Sequence, residues 1–561
     1  MTSDFSRSEA APIETDVLII GSGAAGCRAA IAAHQAGVRV LLIDKGRIGR
    51  SGNSIIAESA YNAPAEDRRS IAAHVADTVR AGAGLNNPAL AERLAADALR
   101  RYRDLESYGC KFSRDEAGRL LRRAQGGASQ RVCIGYRTST GKAMMGALQT
   151  EIRRRGIPTL EGAVATALLQ AEDGGVAGVQ AFLLFEGRSL PIPAGATIIA
   201  TGGLGGIYSV TSNARGMVGD GLVLALEAGA EIQDIEQVQF HLALHSPKGF
   251  RGTLINAQLL SEGARLYNGR GEWFMSRYAP EAERATRDVV ARAISAEIAE
   301  GRGTPSGGVW LDCSTLPLSL MDGDFAELTA LLSERCGLDI RCHPMEVSLA
   351  AHFSMGGIRI DDFCRTNVQG LLAAGEAAGG LHGANRLGGN ALPETQVFGA
   401  IAGETAAAEA LRRNAPKLIA SSARPGAETP SERRSGLDFR PTISPCQVSA
   451  RCREITGNYL GPRRSGVELI RAVAELEDLE SGIAMGYRPC PPPNYHLLEY
   501  LEVRNATVAA RAVAEAALAR RESRGGHYRT DFPRSDPGLD SVNTIARKTG
   551  GRIEVELRKR Q

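Results

Sequence analysis

Three glycines, Gly21, Gly23 and Gly26, followed by an acid at Asp44, form the arrangement in this chain best suited to hold a phosphorylated ligand. In GSGAAG, Gly21 permits a tight turn, Gly23 lets the backbone approach a pyrophosphate, and Gly26 lets a helix pack closely on a strand. Ala24 and Ala25 open that helix, whose free N–H groups and positive dipole end face the phosphates. Asp44 stands where an acid accepts hydrogen bonds from a ribose. A motif of this kind serves FAD and NAD alike.

Such groups need a βαβ unit to position them. The flanking sequence supplies one: an apolar strand at 16–20, a small-residue helix at 24–36, and a second strand at 38–43. The Gly/Ser/Asn-rich run after Asp44 places Lys45, Ser51, Gly52, Asn53 and Ala57 on a loop suited to run along a cofactor. A buried strand at 196–200 leads into TGGLGG, so Ala200, Thr201 and Gly202 mark the return of the chain to the cofactor sheet. Another at 368–374 leads into a glycine-dense run at 375–399. Asp220, which opens a helical stretch within 219–231, is counted with the cofactor-binding residues.

Between these returns the pattern is helical over 68–108, with a start at Asn87-Pro88. A further helix from Gly141 carries Met144, Ala147, Leu148 and Ile152 on one face, and 158–195 reads as a β-meander with a turn at 171–175. Residues 414–445, rich in Pro, Ser and Arg, read as a linker, and helices dominate beyond it.

Composition narrows the class. A chain of 561 residues with 43% apolar and 23% charged residues is an ordinary globular protein long enough for several domains. A net charge of +3 gives no case for nucleic-acid binding. The basic C-terminal stretch reads as a solvated edge or tail, and residues 1–12 as a loose leader. The ten Cys form no CxxC pair, so neither an iron–sulfur nor a zinc site is expected, and scattered thiols fit a reducing cytoplasm. No apolar run approaches the ~20 residues of a membrane span.

The order of the landmarks resembles the FAD flavoproteins of the succinate dehydrogenase and fumarate reductase family, with L-aspartate oxidase a close cousin. They run GSGAAG, TSTG at 138–141, ATGG at 200–203, QFH at 239–241, GARLYNGRGEWFM at 263–275 and RDVVARAI at 287–294. They continue with HFSMGG at 352–357, GEAAGGLHGANRLGGNAL at 375–392 and RRESRGGHYRTDFP at 520–533. The resemblance implies an α/β chain: a Rossmann-like FAD-binding domain over 13–235 and 355–413, an inserted capping domain over 236–354, a linker over 414–445, a C-terminal helical domain over 446–535 and a tail over 536–561. It implies hydride exchange between flavin N5 and one carbon of a C–C bond beside a carboxylate, with an arginine exchanging a proton at the neighbouring carbon. By motif, Arg287 is that arginine, Arg386 and His352 bind a substrate carboxylate, and His241 is a second carboxylate partner. Gly375 and Glu376 contact the FAD ribityl or ribose region, and Asn390, Ala391 and Leu392 line the flavin. The partners implied are a small carboxylate substrate and an iron–sulfur electron-transfer protein, through which the chain would sit peripherally on an inner membrane. An amino-acid oxidase and a non-catalytic FAD subunit are the alternative readings.

Two departures stand out. Covalent members of the family attach FAD through a His where this chain has Asn53, so the FAD is expected to be non-covalent. The family's Thr, relay Glu and relay Arg fall, without gaps, on Asn256, Ala257 and Leu260. A gapped alternative places them on Ser261, Glu262 and Arg265. His245, in the altered QFHLALH, is a candidate substitute donor.

Overall fold

The computed structural model describes residues 13, 15–57, 60–123, 126–136, 139–256, 258–323, 325–413, 417–419, 444–483 and 491–560. The leader expected over 1–12, most of the linker expected over 414–445, and Ala257 lie outside them.

A five-stranded parallel sheet carries the glycine motif. Its order is Leu371–Ala373, Ala196–Ile199, Val17–Ile20, Val40–Asp44, Thr159–Glu161. Val17 pairs with both Val40 and Ala196, so three separate returns of the chain end at one edge of the sheet. The central strands are apolar at nearly every position because both faces are covered. The helices Ala24–Gln35 and Ala391–Arg413 pack together with little side chain between them. A Cβ on Gly403 would lie only 2.3 Å from Ala29 O.

The meander read at 158–195 divides in two. Thr159–Glu161 joins the parallel sheet, while Ala163–Gln170, Val176–Leu183 and Arg188–Pro193 form a separate antiparallel sheet. Gly162, at φ +66°, turns the chain between them.

A four-stranded antiparallel sheet, in the order Val238–Leu244, Met345–Ser354, Val309–Asp312, Arg265–Tyr267, has its own apolar core, including Leu259, Phe274, Ile294 and Val347. The helix Arg287–Ala299 contributes Val290, Ala293 and Ile294 to that core.

Three helices, Pro445–Tyr459, Gly466–Ile483 and Tyr495–Ala519, follow. The first starts on a capping box between Ser444 and Gln447. The C-terminal stretch, expected as a solvated edge or tail, forms a hairpin, Val542–Thr549 with Arg552–Lys559, whose second strand is a sheet edge. Its first strand pairs with Ile232–Gln233, so the end of the chain completes a second five-stranded sheet. The alternation of Ile545 and Ile553 among charged residues carried that outcome: both side chains are buried. No helix among the described residues is long and apolar enough to cross a membrane.

Candidate active site

At the glycine turn, Gly21 has φ +99° and a Cβ there would lie 2.5 Å from Ala200 O. A Cβ on Gly26 would lie 1.8 Å from Gly21 O. These two glycines therefore let the helix Ala24–Gln35 sit against the strand ends, with Gly23 at its N-cap, where it has no side chain to cap with. Ser54 Oγ accepts from the Ala24 N–H at 3.1 Å. Asp44 is held by four donors: the Ser22 and Gly46 N–H groups at 2.8 and 2.7 Å and the Ser22 and Ser51 hydroxyls at 2.6 and 3.1 Å. Its carboxylate thus shapes the loop 44–51 as well as facing the ligand space.

That space is one continuous cavity of ≈ 560 Å³. Gly21, Gly23, Ala24 and Ala25 line one wall, with Asp44, Lys45, Ser51, Gly52, Asn53 and Ala57 beside them. Ala200, Thr201, Gly202, Asp220, Gly375, Glu376, Ala391 and Leu392 complete this end. The Thr201 hydroxyl is buried without a hydrogen-bond partner. An elongated space with a free helix N-terminus, small-residue walls and an orphaned hydroxyl fits a dinucleotide such as FAD.

Several predicted cofactor residues turn out to bond mainly to one another. Lys45 Nζ donates to Asp220, Glu502 and Gly216 O at 2.6, 2.6 and 2.8 Å, tying the loop to the C-terminal helix Tyr495–Ala519. Burial alone would push the ammonium down, but the two carboxylates outweigh it and hold it above the ordinary lysine range. Asn53 Nδ2 donates to Asn213 Oδ1 at 2.6 Å and to Glu376 Oε2 at 3.2 Å. Glu376 Oε1 accepts from the Ser354 N–H at 3.0 Å, and burial pushes its carboxyl up to about 7. Asn390, expected beside Ala391 and Leu392, points elsewhere. Its side chain is fully buried, donating to Thr78 Oγ1 at 3.0 Å and accepting from Asn62 Nδ2 at 2.7 Å. It fixes the start of the helix Ala391–Arg413 rather than lining the cavity.

The other end of the same cavity collects His241, Arg287, His352 and Arg386. His241 and His352 come from paired strands. The register shifts between Gln239 and Phe240, so that Gln239 opposes Phe353, Phe240 opposes Ala351, and His352 is the extra residue of a β-bulge. A bulge re-aims its side chain, and here the two imidazoles face each other with centroids 4.9 Å apart. His241 Nδ1 bonds Leu242 O at 3.1 Å, which assigns the proton to Nδ1 and leaves Nε2 free. His352 Nδ1 bonds Ser212 Oγ at 2.9 Å.

Arg287 is the first residue of its helix, and Arg386 sits in the glycine-dense loop with its guanidinium 4.3 Å from the Phe353 ring centre. Both donate to Gln239 Oε1, at 3.1 and 2.9 Å. Gln239 Nε2 in turn donates to Asn385 Oδ1 and Arg386 O, both at 3.0 Å. Gln239 and Ser212 were not anticipated as site residues, although Gln239 stands two residues before His241 and so shares its face of the strand. Arg386 Nε is buried without a partner, and no carboxylate pairs with either arginine among the described residues.

Burial pushes the Arg386 guanidinium down to about 10, with Glu376 and Glu394 partly offsetting it. Burial and then Arg386 push Arg287 down, and Arg287 is only half-buried, facing the cavity. Burial holds both histidines well below their ordinary range. At His241 the arginines add to it, and at His352 both His241 and the arginines do. The result is two imidazoles disfavoured as cations and two guanidiniums without an ion-pair partner among the described residues, around one space, a setting built for a small anion.

The altered segment runs alongside the cavity. Asn256 lines the cavity and Leu260 is buried behind Arg287. Of the residues of the gapped alternative, Ser261 borders a smaller cavity beside Arg287, Glu262 is exposed, and Arg265 lies on an outer strand, 5.2 Å from the Trp273 ring centre; none of the three lines the main cavity. His245, the expected substitute donor, is also displaced. It follows the end of its strand, where Nε2 bonds Ser306 O at 2.8 Å, and does not reach the cavity.

Comparison with known proteins agrees with this architecture. A family model described as an FAD binding domain matches residues 16–392, and one described as fumarate reductase flavoprotein C-term matches 450–560. The chain is 42% identical to a subunit of the fumarate reductase (CoM/CoB) of Methanothermobacter marburgensis, over 93% of this chain and 95% of the relative. It is 36% identical to the L-aspartate oxidase of Caulobacter vibrioides, over 96% and 98%. Among solved structures, a mutant E. coli quinol fumarate reductase FrdA superposes with a TM-score of 0.89 at 29% identity, over 98% of this chain and 97% of that one. The chain belongs to the flavoprotein family of succinate dehydrogenases, fumarate reductases and L-aspartate oxidases, and is an FAD-dependent oxidoreductase of the succinate dehydrogenase and fumarate reductase type.

Proposed function

We propose that this protein interconverts a C4 dicarboxylate pair of the fumarate/succinate kind across a CH–CH bond, with Arg287 as the proton-exchanging residue. The observation that carries the reading is the cradle itself: Arg287 and Arg386 share Gln239 Oε1, lack a protein carboxylate, and face His241 and His352 across one space. Bound FAD supplies a two-electron hydride exchange at one of the two central carbons. Arg386 and His352 hold the carboxylate next to the flavin end, and the free His241 Nε2 orients the other. Charge gathered on a carboxylate during the reaction is met by donors already in place. Arg287 transfers its proton to the second carbon, and the lowered basicity of a half-buried guanidinium beside Arg386 makes that proton easier to release.

The FAD is held non-covalently, since the position used for covalent attachment is Asn53, an amide with no nucleophilic nitrogen. Electrons reach or leave the flavin through a separate iron–sulfur protein, the partner that the family resemblance implies. The test is a flavin half-reaction. The holoenzyme is reduced without oxygen and mixed with fumarate. Rapid return of the oxidised flavin spectrum supports the reading. No return, with bleaching of the oxidised enzyme by aspartate, replaces it with an amino-acid oxidase.

A further inference from the structure

Arg287 also borders a second cavity, of ≈ 40 Å³, that it shares with His241. Its walls are largely apolar, with Phe240, Leu260 and Val290 prominent. Ser261 and Glu283 are the other polar side chains on it. A water needs about 10–15 Å³ of such space, so the chamber has room for about three. Glu283 Oε1 accepts from the Leu266 N–H at 3.0 Å and from Trp273 Nε1 at 2.7 Å. Its other oxygen makes no hydrogen bond among the described residues, and Trp273, bonded to Oε1, is 41% exposed.

An arginine that gives a proton to carbon must regain one before the next turnover. Among the described residues the Arg287 guanidinium has one hydrogen bond, to the side-chain carbonyl of Gln239, which cannot supply it. Resting on the fumarate reading above, we propose that Arg287 is reprotonated from solvent through this chamber, along waters held between the Ser261 hydroxyl and the Glu283 carboxylate. One proton crosses per turnover and restores the guanidinium. The electron pair travels separately as hydride, and no further reductant or acid is consumed. Ser261 and Glu283 act on the reaction only through Arg287. Leu260, at the position where the family resemblance places a relay arginine, widens the chamber by being shorter and uncharged.

Two variants test the route. Gly126 lies on the chamber wall with an ordinary backbone conformation, and a Cβ there would lie 3.8 Å from Ser261 Oγ. Gly126→Val therefore fills the chamber without touching the cradle. Glu283→Gln keeps an acceptor for Leu266 and Trp273 but cannot ionise. Each holoenzyme is mixed, fully reduced, with fumarate for a single turnover, and then turned over continuously with an excess of reduced dye. Arg287 starts protonated, so the first turnover keeps the wild-type rate. Continuous turnover at pH 8 falls about 10-fold or more, recovers as the pH is lowered to 6, and gains a solvent deuterium effect. Fumarate binding, read by thermal shift, stays at the wild-type value. If both phases slow together, or neither slows, the route is wrong. If fumarate fails to reoxidise the wild-type flavin at all, the reading of the site is wrong and the route falls with it.

Discussion

Arg287 Nη1 and Arg386 Nη2 donate to the same atom, Oε1 of Gln239, at 3.1 and 2.9 Å. One neutral amide thereby holds two guanidiniums side by side without cancelling either charge. A carboxylate there would hold them more tightly and would compete with the substrate for them.

Gln239→Glu is therefore expected to raise the KM for fumarate by about 10-fold or more, the cost of one charge-assisted contact. Gln239→Met removes the acceptor and lowers kcat as well, since the two arginines lose their spacing. Steady-state kinetics with a reduced dye check both. Wild-type constants in Gln239→Glu would show that the amide plays no part in setting the site.

Arg287→Lys should keep full FAD content while turnover falls by about 10³-fold, because an ammonium on a shorter, non-planar head misses both Gln239 and the reacting carbon. Flavin absorbance and turnover on one preparation separate the two effects.

The Glu376 carboxyl titrates near 7 in the folded apoprotein, above its ordinary value of 4.5, because it is buried. The folded state then binds more protons than the unfolded state between those two values. Its contribution to stability is full below pH 4.5 and is lost as the pH rises through 7. Glu376→Gln has no such term. The difference in apoprotein Tm, variant minus wild type, should grow from pH 5 to pH 7.5, and a constant difference would contradict the shift.

Lys45→Met leaves Asp220 and Glu502 facing each other across the loop, at an expected cost of about 2–4 kcal/mol. FAD affinity should weaken with it, since the same loop lines the cavity. Thermal unfolding and FAD titration measure the two consequences separately.

Denaturation of the yellow holoenzyme should release all of its flavin into the supernatant. Colour retained on the polypeptide would mean that a side chain other than Asn53 attaches the flavin.

Much of the site was legible in the sequence because its residues sit on local motifs with one mechanical solution. Gly21 and Gly26 meet backbone oxygens that leave no room for a Cβ, and the apolar strands at 17–20 and 196–199 can sit only where both faces are covered. What escaped depends on where distant segments meet. His352 reaches the cavity through a bulge that no alternation of residue types announces. Gln239 looks like any strand residue until Arg287 and Arg386 arrive from 48 and 147 positions away. Asn390 sits among lining residues yet turns toward Asn62 and Thr78, and His245 falls past the end of its strand. The C-terminal hairpin was hidden by its charges: one face of Arg552–Lys559 is open to water, and only sparse apolar positions show that the other is not.

The dinucleotide loops and the His–Arg cradle line one undivided cavity. A molecule seated at the cradle therefore stands in the way of the flavin ring, whichever of them comes first. On the proposed reading, loading is expected to be ordered: flavin enters an empty protein, and dicarboxylate follows. Apoprotein soaked in a high concentration of dicarboxylate should take up FAD slowly, whereas the same dicarboxylate added to holoenzyme should slow the loss of flavin during storage and dilution. The substrate is thus also a latch on the cofactor, and the lifetime of the active protein depends on when its substrate arrives.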